Sequence, residues 1–178
     1  GYGDNASGNY ADEYPTEPTQ WSDSDNDGYG DNSSGYNGDA FPTDASQWSD
    51  KDGDGYGDNP NGNTPDSFPN DSTQWSDIDG DGYGDNASGL QPDACPGEAG
   101  TSTIDRYGCI DSDSDGVSNL TDAFPNEPTQ WSDIDNDGFG DNPSGVQADA
   151  CPNVTGTSLI DRIGCLDSDS DGVSDPTP

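Results

Sequence analysis

The stretch Asp50-Lys51-Asp52-Gly53-Asp54-Gly55-Tyr56-Gly57-Asp58 sets the pattern of this chain, because it places Asp at positions 1, 3, 5 and 9 of a short glycine-rich loop. Alternate Asp side chains in a tight turn converge on one point, and Ca²⁺ takes about six to eight oxygen ligands. Gly at position 6 permits the bend that turns the position-7 carbonyl, that of Tyr56, toward the same point. The stretch therefore predicts a calcium-binding loop.

This loop occurs six times in full, and the chain opens partway through a seventh copy. The steps between successive position-6 glycines are 27, 27, 27, 34, 22 and 34 residues. A register of this kind predicts a solenoid-like repeat array. We expect a single array, a segment of a longer chain, with truncated first and last units. The units are approximately 1–22, 23–49, 50–76, 77–110, 111–132, 133–166 and 167–178.

Positions 1, 3, 5, 7 and 9 of each copy supply candidate calcium ligands: side chains at every position except 7, where the backbone carbonyl serves. The candidates are Asp4 in the truncated copy and, in the full copies, Asp23, Asp25, Asp27, Tyr29 and Asp31; Asp50, Asp52, Asp54, Tyr56 and Asp58; Asp77, Asp79, Asp81, Tyr83 and Asp85; Asp111, Asp113, Asp115, Val117 and Asn119; Asp133, Asp135, Asp137, Phe139 and Asp141; and Asp167, Asp169, Asp171, Val173 and Asp175.

A further Asp downstream of each loop is a candidate for closing the site. The 22-residue step lacks a five-residue turn, so Asp122 is at position 12 of its loop, where a helix-loop-helix calcium site carries its last carboxylate. In the other units we expect the equivalent Asp of an Asp-x-[Phe/Tyr/Cys]-Pro element to fold back across the turn. These residues are Asp12, Asp39, Asp66, Asp93 and Asp149.

The acidic charge suggests more than one ion per unit, since the formal net charge is -35. An acid also recurs six residues before each full loop. We therefore predict one to two calcium ions per repeat. The candidates for the second set are Glu17, Asp44, Asp71, Asp105, Glu127 and Asp161.

Composition limits the function classes. With 25% hydrophobic residues the chain would be disordered by composition alone, but its acids and aromatics recur in register. Only three residues are basic, which excludes nucleic acid as a partner, and no stretch is apolar enough for membrane insertion. There is no His, and paired carboxylates repeated in identical copies suit calcium rather than acid-base chemistry. We expect no enzyme activity.

All four cysteines lie in the two 34-residue steps. Cys95 takes the place of Phe41, and Cys109, two residues before its loop, takes the place of Trp48. If equivalent places touch, the disulfides are Cys95 with Cys109 and Cys151 with Cys165, and the other units have an aromatic contact there. The predicted aromatic pairs are Tyr14 with Trp21, Phe41 with Trp48, Phe68 with Trp75, and Phe124 with Trp131.

Gly and Pro interrupt the chain every few residues, so we expect no helix of useful length and only isolated bridges. The predicted fold is an irregular repeat solenoid with little regular secondary structure. Its turns wrap around a line of calcium ions and are stapled by disulfides and aromatic pairs. Such small clamps do not offset the ordering entropy, so we expect a chain that is largely unfolded without calcium. Paired cysteines and calcium together indicate an extracellular or cell-surface protein.

Six Asn-x-Ser/Thr tripeptides are candidate glycosylation sites. Two asparagines equivalent to some of them, Asn59 and Asn142, are followed by Pro, which blocks modification. The candidates are Asn5, Asn32, Asn70, Asn86, Asn119 and Asn153.

The motif Asp-x-Asp-x-Asp-Gly-[Tyr/Phe/Val]-[Gly/Ser]-[Asp/Asn] in every copy, with Asp93-Ala94-Cys95-Pro96 leading through Gly108-Cys109 to the loop at Asp111, resembles the thrombospondin type 3 repeats and their calcium-binding relatives in microbial surface proteins. The resemblance covers essentially the whole chain. It implies an irregular fold wound around many calcium ions, with shared carboxylates and usually more than one ion per repeat. The Gln-Trp-Ser-Asp element and the units without a disulfide depart from it.

Two function classes follow from these expectations. The first is a calcium-stabilised rod, stalk or filament, whose partners are calcium, further copies in a fibre, or flanking domains. The second is a calcium-dependent adhesion module that binds matrix or glycan through its ions or aromatic rings.

Overall fold

A computed structural model describes Ser7 and residues 11–176. These residues form turns, bends and irregular backbone, with no helix and no extended strand. Three isolated parallel bridges join Gly30 to Gly38, Gly57 to Pro65, and Gly140 to Ala148. Each bridge connects position 8 of a loop with the residue that follows the inserted turn. The expectation of an irregular chain with isolated bridges is confirmed for this part of the sequence.

The chain divides into two compact units. The first contains Gly1–Asp77 and Gly84–Pro92, and the second contains Ile78–Tyr83 and Asp93–Pro178. No helix in the described residues could cross a membrane.

The buried interior of the described residues is polar rather than apolar. Cys109 and Cys165 are its only buried hydrophobic residues, whereas a Gln three residues before the loop is buried in each of four repeats. Gln47 is 1% exposed; its Nε2 donates to the carbonyls of Asn59 (3.0 Å) and Asn63 (3.1 Å). These repeats therefore pack around an amide side chain. The four glutamines are Gln20, Gln47, Gln74 and Gln130.

Two glycines make room for this amide. A Cβ on Gly57 would lie 2.1 Å from Cδ and Oε1 of Gln47, and one on Gly62 would lie 2.5 Å from its Nε2. Neither position tolerates a side chain while Gln47 stays in place. The repeated Gly-Asp-Asn and turn-glycine pattern thus has a packing cause.

The structure corrects the predicted aromatic pairs. Trp48 stacks on Tyr29, with ring centroids 5.2 Å apart and planes 3° from parallel, and Trp75 stacks on Tyr56 in the same way at 5.1 Å and 4°. Phe41 and Phe68 are therefore not the stacking partners of these Trp rings. Because the Ala40 amide donates to the Trp48 carbonyl at 3.1 Å, the predicted neighbours meet through their backbone, while the ring turns to position 7 of the preceding loop.

Trp131 shows the effect of a missing ring partner. Position 7 of the loop before it is Val117, and the Trp131 side chain is 44% exposed. In the first repeat, the Tyr14 hydroxyl donates to an Asp23 carboxylate oxygen at 3.2 Å. The predicted pairing with Phe is thus wrong for the Trp48 and Trp75 rings, and the pairs Tyr14 with Trp21 and Phe124 with Trp131 stay predictions.

Both predicted disulfides are confirmed. Cys95 is bonded to Cys109 with Cα atoms 5.2 Å apart, and Cys151 is bonded to Cys165 with Cα atoms 5.1 Å apart. The described residues contain no free cysteine.

The equivalence of Cys109 with Trp48, on which that pairing was based, holds relative to the loop but not for the contacts of Trp48. The Ala94 amide donates to the Tyr107 carbonyl at 2.9 Å, as Ala40 donates to Trp48, and the Tyr107 ring lies 5.6 Å from that of Tyr83. Tyr107 therefore makes the backbone and ring contacts that Trp48 makes in its own repeat. The seven-residue insertion displaces the cysteine beyond this place, where it can reach Cys95.

Candidate metal centres

The first Asp of a loop holds its backbone in shape. Asp50 accepts hydrogen bonds from the amides of Gly53 (2.7 Å, to Oδ1) and Gly55 (3.0 Å, to Oδ2). Both glycines have left-handed backbones, with φ of 83° and 94°. Where position 4 is not glycine, the same conformation persists, as at Asn26 (67°) and Ser114 (68°). Non-glycine residues rarely adopt it, so the loop geometry overrides local preference.

The loops gather their carboxylates as predicted. In five groups of three Asp residues, one oxygen from each residue lies within 4.8 Å of the others, an arrangement that could hold a metal ion, and one further group is arranged similarly. The five groups are Asp23, Asp25 and Asp27; Asp50, Asp52 and Asp54; Asp77, Asp79 and Asp81; Asp111, Asp113 and Asp115; and Asp133, Asp135 and Asp137.

The downstream Asp comes back to its loop. Asp66 is 5% exposed, and its Oδ1 accepts from the Phe68 amide at 2.7 Å. Its Oδ2 is buried without a hydrogen-bond partner, as are the Oδ2 atoms of Asp52 and Asp54. Burial raises the pKa of Asp66, and the neighbouring charges of Asp54, Asp52 and Asp58 raise it further. Asp66 thus lies among the loop carboxylates although it is eight residues beyond the loop.

The same arrangement recurs in three other repeats. Each downstream Asp has a buried Oδ2 without a hydrogen-bond partner, and burial followed by the charges of its own loop raises its pKa. An uncompensated carboxylate in such a position is costly, and hard cations prefer this oxygen-only donor set. The residues present therefore fit a bound calcium ion. These three residues are Asp39, Asp122 and Asp149.

Asp93 and Asp12 were also predicted to close a site, and each accepts a hydrogen bond from the amide two residues later. Asp93 is 5% exposed and accepts from the Cys95 amide at 2.7 Å. Asp12 accepts from the Tyr14 amide at 2.9 Å. Asp4 lies outside the described residues, as does the glycosylation candidate Asn5.

The side chain at position 9 mainly accepts hydrogen bonds from the residue at position 2 of the same loop. Asp31 accepts from the amide (2.9 Å) and hydroxyl (2.8 Å) of Ser24. Burial raises the pKa of Asp31, but hydrogen bonds from Ser22 and Ser24 outweigh it, and the pKa is lowered overall. Two position-9 residues, Asp85 and Asp141, also have a buried Oδ1 without a hydrogen-bond partner.

The backbone of position 7 is oriented by the residue two places before it. The amide of Tyr56 donates to Asp54 Oδ1 at 2.8 Å, and that of Val117 donates to Asp115 Oδ1 at 2.8 Å. The same bond is present at Tyr29, Tyr83, Phe139 and Val173.

The candidates for a second set of ions act as caps in this structure. Asp44 accepts from the amide (3.1 Å) and hydroxyl (2.7 Å) of Ser46, and these bonds lower the Asp44 pKa. Backbone hydrogen bonds, first from Ser174, lower the pKa of Asp161 to about 2. Glu17, Asp71 and Glu127 accept in the same manner from the Thr two residues later, whereas Asp105 accepts from Ser118, at position 8 of the following loop. A second ion per repeat stays a prediction.

The disulfide-bonded segments donate to a loop carboxylate. Gly100 donates its amide to Asp81 Oδ2 at 3.0 Å, and Gly156 donates to Asp137 Oδ2 at 2.9 Å. The corresponding Oδ2 atoms of Asp27, Asp54 and Asp115 are buried without such a donor. The insertion therefore fixes position 5 of the preceding loop.

Sequence reasoning missed the buried glutamines and the serines beside position 9. The signal was the repeated Gln-Trp-Ser-Asp element, which precedes each loop that is followed by an inserted turn. In this element Ser49 donates its hydroxyl to Asp58 and Ser132 donates to Asp141.

No known family model matches this chain, and a search of the curated proteins finds no significant match. What the described residues show is an irregular chain with Asp triads about every 27 residues along much of its length, consistent with calcium-binding repeats. Its two disulfides indicate an oxidising environment, such as the outside of a cell.

Proposed function

We propose that this chain is a calcium-stabilised extracellular structural protein, a tandem array that forms a rod, stalk or filament and has no enzyme activity. The observation that carries the proposal is the nearly complete burial of Asp39, which is 1% exposed and has one oxygen without a hydrogen-bond donor. Burial raises the pKa of Asp39, and the charges of Asp27, Asp25 and Asp31 raise it further. Like charges buried together need a cation to compensate them.

Calcium is the cation that fits this donor set best. Every candidate side-chain donor is an oxygen atom, a carboxylate in all cases except the Asn119 amide; the chain has no His, and the described cysteines are all in disulfides. Oxygen-only sites built from flexible loops suit Ca²⁺, whereas Zn²⁺ and Cu²⁺ favour nitrogen or sulfur ligands. The resemblance to thrombospondin type 3 repeats supports the same assignment.

The ion has a structural role in this proposal. It joins Asp39 to a loop that begins sixteen residues earlier, and so closes each repeat where other proteins bury apolar side chains. Binding free energy then becomes folding free energy, as in small metal-dependent domains. One ion per loop is the minimum, and the capping carboxylates such as Asp44 are the candidates for a second.

Calcium titration with two structural readouts tests the proposal. We expect calorimetry to give at least one ion for each full loop. Circular dichroism and small-angle scattering are expected to show loss of compact structure when a chelator removes calcium, with recovery on its return. Magnesium at equal concentration is the control, since it dehydrates reluctantly and demands a stricter octahedral geometry. A chain that stays folded in the chelator would contradict the proposal.

Electron microscopy of the calcium-loaded protein then separates the structural function from adhesion. Rods or fibres that collapse in chelator support the structural function. Isolated particles that bind glycan only with calcium would instead favour the adhesion module.

A further inference from the structure

The asparagines of the candidate glycosylation tripeptides occupy different structural places. Asn32 and Asn86 begin the inserted turn after a loop, whereas Asn119 is at position 9 of a loop. Asn70 and Asn153 share a third place, directly after the Pro of the Asp-x-[Phe/Cys]-Pro element. The five described candidates therefore differ in how accessible their side-chain amides are.

The asparagines that begin the inserted turns make hydrogen bonds to distant backbone groups. Asn32 donates Nδ2 to the Thr19 carbonyl at 2.8 Å, and its Oδ1 accepts from the Ser34 amide at 3.3 Å. Its backbone is also held by the buried Gln20. Asn86 makes the equivalent bonds to Thr73 and Ser88, at 2.8 and 3.2 Å.

Asn59 and Asn142 occupy the same place in two other repeats. They show that these hydrogen bonds are sufficient reason for an asparagine at this position. Asn59 donates Nδ2 to the Ser46 carbonyl and Asn142 donates to the Thr129 carbonyl, each at 2.8 Å. Both are followed by Pro, which prevents glycosylation, yet the asparagine and its contacts are the same. A structural need thus accounts for Asn at this place without any modification.

Asn119 is held within its own loop. Its Nδ2 donates to the Ser112 hydroxyl at 2.7 Å, and its Oδ1 accepts from the Ser112 amide at 2.9 Å. A transferase could reach this amide only by opening the loop.

Asn70 and Asn153 have no such role. Both are exposed, and the backbone amide of each donates locally, to the carbonyl of Phe68 or Cys151. The Lys51 ammonium donates to Asn70 Oδ1, which leaves Nδ2 without a partner among the described residues. No described residue bonds to the side-chain amide of Asn153.

The hydroxyl residues of these two tripeptides, Ser72 and Thr155, are exposed as well. Thr155 donates to the Asp135 carbonyl at 3.0 Å, a single bond that solvent can replace.

The geometry points to Asn70 and Asn153 as the N-glycan acceptors of the folded chain, with Asn32, Asn86 and Asn119 unmodified. The donor is an oligosaccharide linked to a lipid through a diphosphate. Asparagine Nδ2 forms a bond to C1 of the first sugar, the bond from C1 to the diphosphate oxygen breaks, and one Nδ2 proton is released. The lipid diphosphate leaves with the bonding electron pair, and no oxidant or reductant is needed.

The test is secretion of the full chain from a eukaryotic host, with a flexible C-terminal tail that carries one Asn-x-Thr tripeptide. Modification of the tail shows that the transferase and its donor lipid were available. Enzymatic glycan release in ¹⁸O-labelled water, followed by peptide mass spectrometry, gives the occupancy of each asparagine. We expect high occupancy at Asn70 and Asn153, and at least about tenfold lower occupancy at Asn32, Asn86 and Asn119.

Matched variants separate modification from folding. The variants Asn70→Gln and Asn153→Gln are expected each to lose one glycan and to keep the far-ultraviolet spectrum and calcium response of the parent chain. The variants Asn32→Gln and Asn86→Gln are expected to keep both glycans but to unfold at lower denaturant concentration. The proposal is overturned if the tail is modified while either Asn70 or Asn153 is not, or if any of the three held asparagines reaches comparable occupancy. The calcium titration of the unglycosylated chain tests the proposed function by itself, so the two proposals fail separately.

Discussion

The side-chain amide of Gln47 pairs with the backbone of Asn59, twelve residues further along the chain. Its Oε1 accepts from the Asn59 amide at 2.9 Å, while its Nε2 donates to the Asn59 carbonyl at 3.0 Å. A side chain thereby supplies the pair of bonds that a neighbouring strand would make. The same pairing joins Gln20 to Asn32, Gln74 to Asn86 and Gln130 to Asn142.

Replacing Gln47 by Ala should destabilise the calcium-loaded protein by at least about 2 kcal/mol, because each buried backbone group left unpaired costs about 1 to 3 kcal/mol. Denaturant unfolding at saturating calcium measures the change. Gln91→Asn, at an exposed position, is the control and should leave the midpoint unchanged. Equal midpoints for Gln47→Ala and the parent would show that the amide is not a folding element.

The variant Gly57→Ala should prevent normal folding of its repeat, since the new Cβ would lie 2.1 Å from Gln47 Cδ. Gly97→Ala is the matched control, because a Cβ there meets no atom within 4 Å. We expect a lower unfolding midpoint for Gly57→Ala only, measured by circular dichroism in calcium. A destabilisation of equal size in both variants would contradict this packing argument.

The variant Asp66→Asn should weaken ion binding at the Asp50 loop by at least about tenfold, because it removes one charge from the set that compensates the cation. The Asn side chain can still accept from the Phe68 amide, so its local turn should persist. Terbium luminescence, sensitised by the loop tyrosine, reports the affinity.

Two further variants help to interpret the result for Asp66→Asn. Glu98→Gln changes an exposed acid outside the repeated positions and should leave all affinities unchanged. Asp44→Asn tests the second set of ions, and a loss of one bound ion in that variant would place an ion there. Unchanged terbium binding in Asp66→Asn would exclude Asp66 as a ligand.

Removing the second disulfide should both destabilise its segment and weaken the loop at Asp133. Cys151→Ser with Cys165→Ser releases the segment in which the Gly156 amide donates to Asp137 Oδ2. Closing a loop of about 15 residues contributes about 3 kcal/mol, which gives the scale of the expected loss. Unfolding measured at several calcium concentrations should show a larger loss at low calcium. A loss of stability that does not depend on calcium concentration would show that the disulfide does not affect ion binding at the Asp133 loop.

Shortening Tyr29 to Ala should expose Trp48 and destabilise its repeat by about 0.5 to 1.5 kcal/mol beyond the buried area, the range for an aromatic pair. Acrylamide quenching of Trp fluorescence measures the exposure. Phe41→Leu is the control, because the structure gives Trp48 its ring partner in Tyr29. Greater quenching in Phe41→Leu than in Tyr29→Ala would instead support Phe41 as the ring partner of Trp48.

The sequence by itself determined the loops, since alternate Asp residues within nine positions need only local geometry to converge. It also determined, through its Gly and Pro spacing, that the described residues form no helix, and it supported the return of Asp66 through the shorter unit that lacks the inserted turn.

The tertiary structure decided which groups meet across a dozen or more residues. The pairing of Gln47 with Asn59 depends on where the inserted turn folds, and the stacking of Trp48 on Tyr29 depends on which side of the backbone its ring turns to. The Cys95–Cys109 bond was predicted from an equivalence with Trp48, but in the structure Tyr107 makes the ring contact that Trp48 makes in its own repeat. Such contacts are set by the path of the whole repeat, and no short pattern in the sequence encodes that path.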